Sequence, residues 1–318
     1  MMLDKRVVAL GGGHGLAASL RALRRVTTEL TAVVGVSDNG GSSGRLREHF
    51  NVIPPGDLRM ALTALCGDDE WGQLWARTLQ HRFPGTADIG GHALGNLLIT
   101  ALWQQSEDIV AGLDAVSELL SSAGRVLPLS LTPLNIVATV NFADGSQREI
   151  SGQVEVATTA GEVAAVRVEP SSALVTPQAL AAIAAADSIV FGPGSWFTSV
   201  LNNLVLPDLA AVLRDSSAQK ILVTNLTAQS GETEGFSPAR HLEVLQQIAP
   251  EISWDVVIAD SVQESAELVS AVHALGAQLI CADVVAESDS GIHDADHLAS
   301  VFHTVLQSAS LERKTSWQ

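Results

Sequence analysis

Tyrosine is missing from this chain altogether, and aromatic residues of every kind make up only 4% of it. The 47% hydrophobic content therefore rests on Val, Ile, Leu and Ala, the composition of parallel strands covered by helices on both faces. Cysteine is nearly absent too. Cys66 and Cys281 lie far apart with no metal-type spacing, which excludes a disulfide framework and a cysteine-rich zinc site and leaves two reduced thiols. No apolar run approaches the ~20 residues of a membrane helix, and no signal peptide leads the chain. The expectation is a cytoplasmic protein with no membrane partner. Positive charge is scarce: 18 Lys and Arg face 35 Asp and Glu, for a net −17, which argues against a nucleic-acid surface.

The scarce positive charge is unevenly spread. Residues 1–60 hold 8 of the 18 basic and 5 of the 35 acidic residues, a net +3, leaving −20 for the rest. An acidic protein with a basic amino-terminal segment suits a small anionic ligand bound there. Arg21, Arg24 and Arg25 could equally form a solvated helix face.

Short apolar runs alternate with helical patterns along the 318 residues. Val7–Leu10, Thr31–Val36, Ser188–Phe191, Lys220–Thr224, Trp254–Ala259 and Gln278–Ala282 read as strands, while Leu58, Ala61, Leu62 and Leu65 carry a helical stripe. Thr176-Pro177, Ser237-Pro238 and Asp294 mark helix starts. The pattern predicts an α/β fold: a doubly wound, mostly parallel, Rossmann-like sheet. Residues 125–169 break the rhythm with β-like runs around Asp144-Gly145, a hairpin signal. They are expected to form a β-rich insertion within one domain spanning 1–318.

Chemistry is expected outside the carboxyl ends of the strands, where open parallel sheets bind ligands. There the chain places Gly11-Gly12-Gly13-His14-Gly15, then Ser37-Asp38-Asn39-Gly40-Gly41-Ser42-Ser43-Gly44-Arg45, then Gly192-Pro193-Gly194-Ser195, then Asn225 with Gln229 close behind. His92 and Asn96 open a further helix. Glycines let backbone N–H groups approach an anion, and helix N-termini favour negative charge. Each loop alone could be a tight turn; four at one sheet edge make a site. The first loop lacks both the third glycine of a dinucleotide motif and the Lys of a P-loop. Asp38 is placed for a ribose, a metal or a turn, and Asp57 for a metal or a cap on its own helix. His92 and Asn96 read either as ligand contacts or as helix caps, and His293, Asp294 and His297 as caps and surface rather than metal ligands.

The motifs GGGHGL, SDNGGSSGRLR, PPGDLR, GHALGNLL, RVLP, GPGSWFTS and NLTAQSGET, in this order, closely resemble the YvcK-type gluconeogenesis factor family. That family is related to CofD, the 2-phospho-L-lactate transferase of coenzyme F420 synthesis. GGGHG and LRMALTALCGDD are similar to the actinobacterial branch. The resemblance implies a cytoplasmic CofD-like protein that binds UDP-sugars and links carbon metabolism to cell shape and envelope synthesis. Its ligand-binding residues would be Gly11, Gly12, Gly13, His14, Gly15, Asp38, Asn39, Gly41, Ser42, Ser43, Arg45, His92, Asn96, Gly192, Gly194, Ser195, Asn225 and Gln229. Arg45 would answer the phosphate. No cofactor is obligatory on this reading, although Mg²⁺ could accompany a nucleotide. Partners would be a UDP-sugar or related phosphorylated molecule and an envelope-synthesis or regulatory protein, with self-association an open alternative. Turnover is also left open. The competing reading is a metal-dependent transferase acting on a deazaflavin, with Asp38 and Asp57 catalytic. Many relatives read Asp-Asp where this chain has Asp38-Asn39, which removes one carboxylate from such a centre.

Overall fold

The computed structural model describes residues 1–315 except 87, 107, 230 and 288. Its strands are β1 (Leu3–Gly11), β2 (Thr27–Val34), β3 (Arg125–Pro128), β4 (Asn135–Asn141), β5 (Gln147–Ser151), β6 (Glu162–Glu169), β7 (Ser188–Phe191), β8 (Gln219–Val223), β9 (Val256–Asp260), β10 (Gln278–Ala282), β11 (Val285–Ala286) and β12 (Asp289–His293). Seven of them form one parallel sheet in the order β10-β9-β8-β7-β1-β2-β3. The chain builds outward from β1 to β3, then returns to the other side of β1 and builds outward again from β7 to β10. Strand order therefore reverses between β1 and β7, where Val8 pairs with Ile189 and Leu10 with Phe191.

The helices near that point are α1 (Gly13–Leu23), α2 (Gly41–Phe50), α3 (Pro55–Ala64), α4 (Glu70–Gln80) and α5 (Leu94–Gln105). Because helices cover both faces, the central strands bury every residue instead of alternating: Val7 to Gly11 and Ser188 to Phe191 are all inside. Leu10, Leu20, Val33, Leu62, Val190 and Ile221 belong to one continuous core. The expected helix starts hold. Thr176 accepts from the Ala179 N–H, Ser237 from Arg240, and Asp294 from Asp296 and His297, each such cap contributing about 1 kcal/mol. No single helix among the described residues is long and apolar enough to cross a membrane.

The β-rich insertion is narrower than its sequence suggests. Arg125–Pro128 pairs in parallel with β2 and is the edge of the main sheet; so short a run, with apolar residues only at Val126, Leu127 and Pro128, looks the same in either setting. The insertion proper is the antiparallel sheet β5-β4-β6. The second strand of the hairpin ends at Ser151. Gly152, at a φ of 111°, turns the chain into a short helix, Gln153–Ala157. That helix has consequences for the site.

Candidate functional site

β1 ends at Gly11, and Gly12 follows as the residue before α1, at the point where strand order reverses and facing Gly192-Pro193-Gly194 beyond β7. A Cβ on Gly15 would collide with the Pro193 carbonyl, so only glycine lets the first turn of α1 pack against this loop. Asn225, beyond β8, fixes the loop from its other side. Its Oδ1 accepts from the Gly194 N–H and its Nδ2 donates to the Gly194 carbonyl, both at 2.8 Å. Ser19 donates to the Gly192 carbonyl at 2.7 Å. The glycine loops are thus held by side chains and are not loose turns.

Three helices begin beside one another at this edge. None of α1, α2 and α3 has a side-chain N-cap of its own. Two carboxylates meet their positive ends instead. Asp57, in the first turn of α3, accepts from the Gly13 N–H at the start of α1, and its Oδ2 lies so close to Gly12 that a Cβ there would be 2.5 Å away. Asp38 accepts from the Gly40 N–H at 2.8 Å just before α2, and both it and Ser43 lie against Gly56 of α3. Asp57 therefore caps a neighbouring helix rather than its own. Burial and then repulsion from Asp38 push its carboxyl up to about 7, against the pull of the Gly13 N–H and Arg59. Helix N-termini stabilise negative charge, yet two carboxylates at one place compete for it.

A third carboxylate, from the segment after β8, meets the start of the helix that follows the β7 loop. Buried Glu232 accepts from the Phe197 and Thr198 N–H groups at 2.6 and 2.8 Å and from the Ser195 hydroxyl, at the start of the π-helix Trp196–Leu201. Burial raises its pKa, opposed by those hydrogen bonds. Gln229 accepts from the Trp196 N–H at 3.2 Å, so Ser195 and Gln229 belong to the same clamp.

Behind α2 and α3 runs a buried polar chain. Arg59 Nε donates to Asn96 Oδ1 at 2.9 Å, Asn96 Nδ2 to Ser42 Oγ at 2.9 Å, and Ser42 Oγ lies 3.0 Å from His92 Nδ1. This direction gives His92 Nδ1 the acceptor role of a neutral ring, in line with its pKa, which burial and then Arg45 and Arg82 lower. Arg59 also donates to Gln80 at the end of α4. Burial brings its guanidinium down to about 10, with Arg82 adding to the effect and Asp57 and Asp38 opposing it.

On the other flank of α1 opens a cleft of about 330 Å³ lined by His14, Gly15, Arg21, Pro193, Gly194, Asn225, Gln229 and His293, among others. Its charged and titratable lining is cationic or imidazole, and among the described residues no Asp or Glu lines it. Arg21 is exposed and makes no ion pair among the described residues. His293 packs beside Asp260 and bonds the Thr224 backbone; burial pushes its imidazole down to about 4 against both of those influences. Asp294 caps its helix, as expected. A neighbouring hollow of about 360 Å³ shares Asn225, Leu226 and Thr227 and is lined by Phe236 and His241.

The expected residues thus fall into four groups. Gly11, Gly12, Gly13, Asp38, Ser43 and Asp57 gather at the helix starts, and His14, Gly15, Gly192, Gly194, Ser195, Asn225 and Gln229 around the switch-point cleft and its walls. Ser42, His92 and Asn96 form the buried chain. Gly41, Asn39 and Arg45 turn to the outer side of α2, where they line an open groove. There Arg45 donates to the Gly90 carbonyl at 2.8 Å. Sequence reasoning missed Glu232, which lies inside a motif notable only for its amides. It left Arg21 open between an anion contact and a solvated face, and counted Arg59 only as part of the basic amino-terminal segment. Among the described residues no group of three or more His, Cys, Asp or Glu side chains could hold a metal ion. A divalent cation here would rest on the Asp38–Asp57 pair and on ligand oxygens, the usual manner for Mg²⁺.

The family model described as "2-phospho-L-lactate transferase CofD" matches residues 7–297. A Mycobacterium tuberculosis protein with a gluconeogenesis-factor name is 48% identical over 307 residues, covering 94% of this chain and 90% of its own. The gluconeogenesis factor of Listeria innocua is 33% identical over 322 residues, covering 97% and 98%. A crystal structure of a UPF0052-family protein from Bacillus halodurans superposes with a TM-score of 0.84 at 31% identity, over 95% of this chain and 99% of that one.

Proposed function

This chain belongs to the CofD family, with gluconeogenesis factors as relatives over nearly its full length, and from that premise we propose that it is a nucleotide-sugar-binding regulatory protein. The observation that carries the reading is the switch-point cleft. In a protein of net charge −17, it gathers His14, Arg21, His293 and the start of α1 with no carboxylate among its described lining, which favours an anionic phosphorylated ligand. The cleft and the hollow beside it suit a two-part ligand, with diphosphate at α1 and nucleoside or sugar beyond Asn225. Without tyrosine, Phe236 and His241 are the rings that line the hollow and would meet a base. Envelope synthesis and cell shape would be the processes that such a sensor informs. The test is calorimetric titration with UDP-N-acetylglucosamine, UDP-glucose and UDP; no binding at millimolar ligand overturns the reading.

A second reading, metal-dependent transfer of a phosphorylated group, is favoured by one observation: Asp38 and Asp57 stand together beside the same helix start. A divalent cation held there would neutralise charge on a phosphate. The residues themselves would hold and orient: Asp57 through Gly13, Asp38 through Gly40. Turnover with a deazaflavin acceptor that needs Mg²⁺ and disappears in Asp57→Asn would favour it over pure binding.

A further inference from the structure

We infer that Asn39 is a positioning residue: with Glu155 it latches the β-rich insertion onto the loop that carries Asp38, so that the insertion holds one wall of the site in place. Asn39 Nδ2 donates to Glu155 Oε2 at 2.8 Å, and Asn39 Oδ1 accepts from the Val154 N–H at 3.1 Å. Both partners are far away in the chain, and both come from the short helix Gln153–Ala157. The same helix reaches two further loops of the site. Gln153 Nε2 donates to the Thr198 carbonyl at 3.3 Å, within the helix that Glu232 caps. Gly231 lies close against the Ala157 carbonyl. Arg47 adds a second tie from α2 to β4, donating to the Leu134 carbonyl at 2.9 Å and to Asn135 Oδ1 at 2.7 Å. One short helix of the insertion thus touches the segments after β2, β7 and β8, all of which build the site.

The chemistry of position 39 follows from this geometry. An amide can accept from a backbone N–H and donate to a carboxylate at once; a carboxylate can only accept. Aspartate at this position would keep the Val154 contact and set its other oxygen against Glu155, exchanging a charge-assisted hydrogen bond for repulsion. The choice of asparagine beside Asp38 is therefore explained by Glu155, not by the ligand.

Amide hydrogen exchange on the ligand-free full chain tests the latch in four forms: wild type, Asn39→Asp, Glu155→Gln, and both together. Glu155→Gln keeps the contact as a neutral hydrogen bond, because the new side-chain amide can turn its oxygen to Asn39, and its exchange should stay within about twofold of wild type. Asn39→Asp should speed exchange at residues 38–44 and 152–158 by roughly threefold to tenfold, as expected for losing one partly exposed charge-assisted bond. The double substitution should restore it, with the carboxylate introduced at position 39 accepting from both Val154 and the amide introduced at position 155. Unchanged exchange in Asn39→Asp, or a double variant as fast as the single, overturns the proposal. Titration of the four forms with UDP and Mg²⁺ adds the consequence for the site, and this arm rests on the nucleotide reading. Affinity should fall in Asn39→Asp and return in the double variant, and equal affinity in all four overturns the positioning role. If wild type binds no UDP, the nucleotide reading fails and the exchange comparison still decides the latch.

Discussion

Replacing Asp57 with Asn should make this protein more stable at alkaline pH, although it alters a closely packed part of the site. The folded state raises the Asp57 carboxyl from 3.8 to about 7, so between those values it keeps a proton that the unfolded chain has released. Stability from this group is whole below pH ~4, falls by about 1.4 kcal/mol per pH unit through the window, and is lost above pH ~7. A window of about three pH units sets a ceiling of about 4 kcal/mol; the half-buried position of Asp57 makes about 2–4 kcal/mol the working range. Asparagine keeps an oxygen for the Gly13 N–H and carries no charge to repel Asp38. Urea unfolding of both proteins at pH 4, 6 and 8, without divalent cations, should show no difference at pH 4 and a growing advantage for Asp57→Asn above it. Equal stability at pH 8, or a gap that is the same at every pH, would refute the claim that Asp57 is a strained carboxylate.

Three further outcomes follow from the same geometry. Gly15→Ala, which drives a methyl into the Pro193 carbonyl, should destabilise by about 2–4 kcal/mol in urea unfolding, near the top of the range for single substitutions. Arg59→Met strips a donor from Asn96 and Gln80 and should cost about 1–3 kcal/mol; Arg59→Lys should fail to rescue it, since one ammonium cannot reproduce the fork. His293 is held down to about 4 in the folded state, so its contribution is present above pH ~6.5 and is lost as pH falls through ~4. His293→Asn should accordingly flatten the acid side of the stability profile between those values, as read by urea unfolding across that range.

The sequence disclosed the sheet and the glycine loops because both are local. Val7–Leu10 and Ser188–Phe191 are apolar runs that suit strands buried on both faces, and Thr176-Pro177 and Ser237-Pro238 announce their helices within two residues. What it hid was pairing at long range. Nothing near Asn39 points to Glu155, and nothing near Asp57 says that its carboxylate caps α1 and not its own helix. Glu232, 37 residues from the Ser195 that it binds, looks like any surface glutamate until the fold buries it. Arg125–Pro128 suits either sheet, since a strand of four residues carries no sign of its neighbours. Arg45 stands out by its place in a glycine-rich loop, but the turn of α2 directs it to the Gly90 carbonyl, whereas Arg21, further along α1 from the motif, borders the cleft.

That contrast between two arginines gives the most direct test of the proposed site. UDP-N-acetylglucosamine titrated by calorimetry into wild type, Arg21→Ala and Arg45→Ala should bind wild type and Arg45→Ala with similar affinity. Arg21→Ala should bind roughly tenfold more weakly, the loss of about 1.4 kcal/mol expected for one charge-assisted phosphate contact. Affinity that falls in Arg45→Ala and stays unchanged in Arg21→Ala would contradict the account by moving the phosphate from the switch-point cleft to the outer groove of α2.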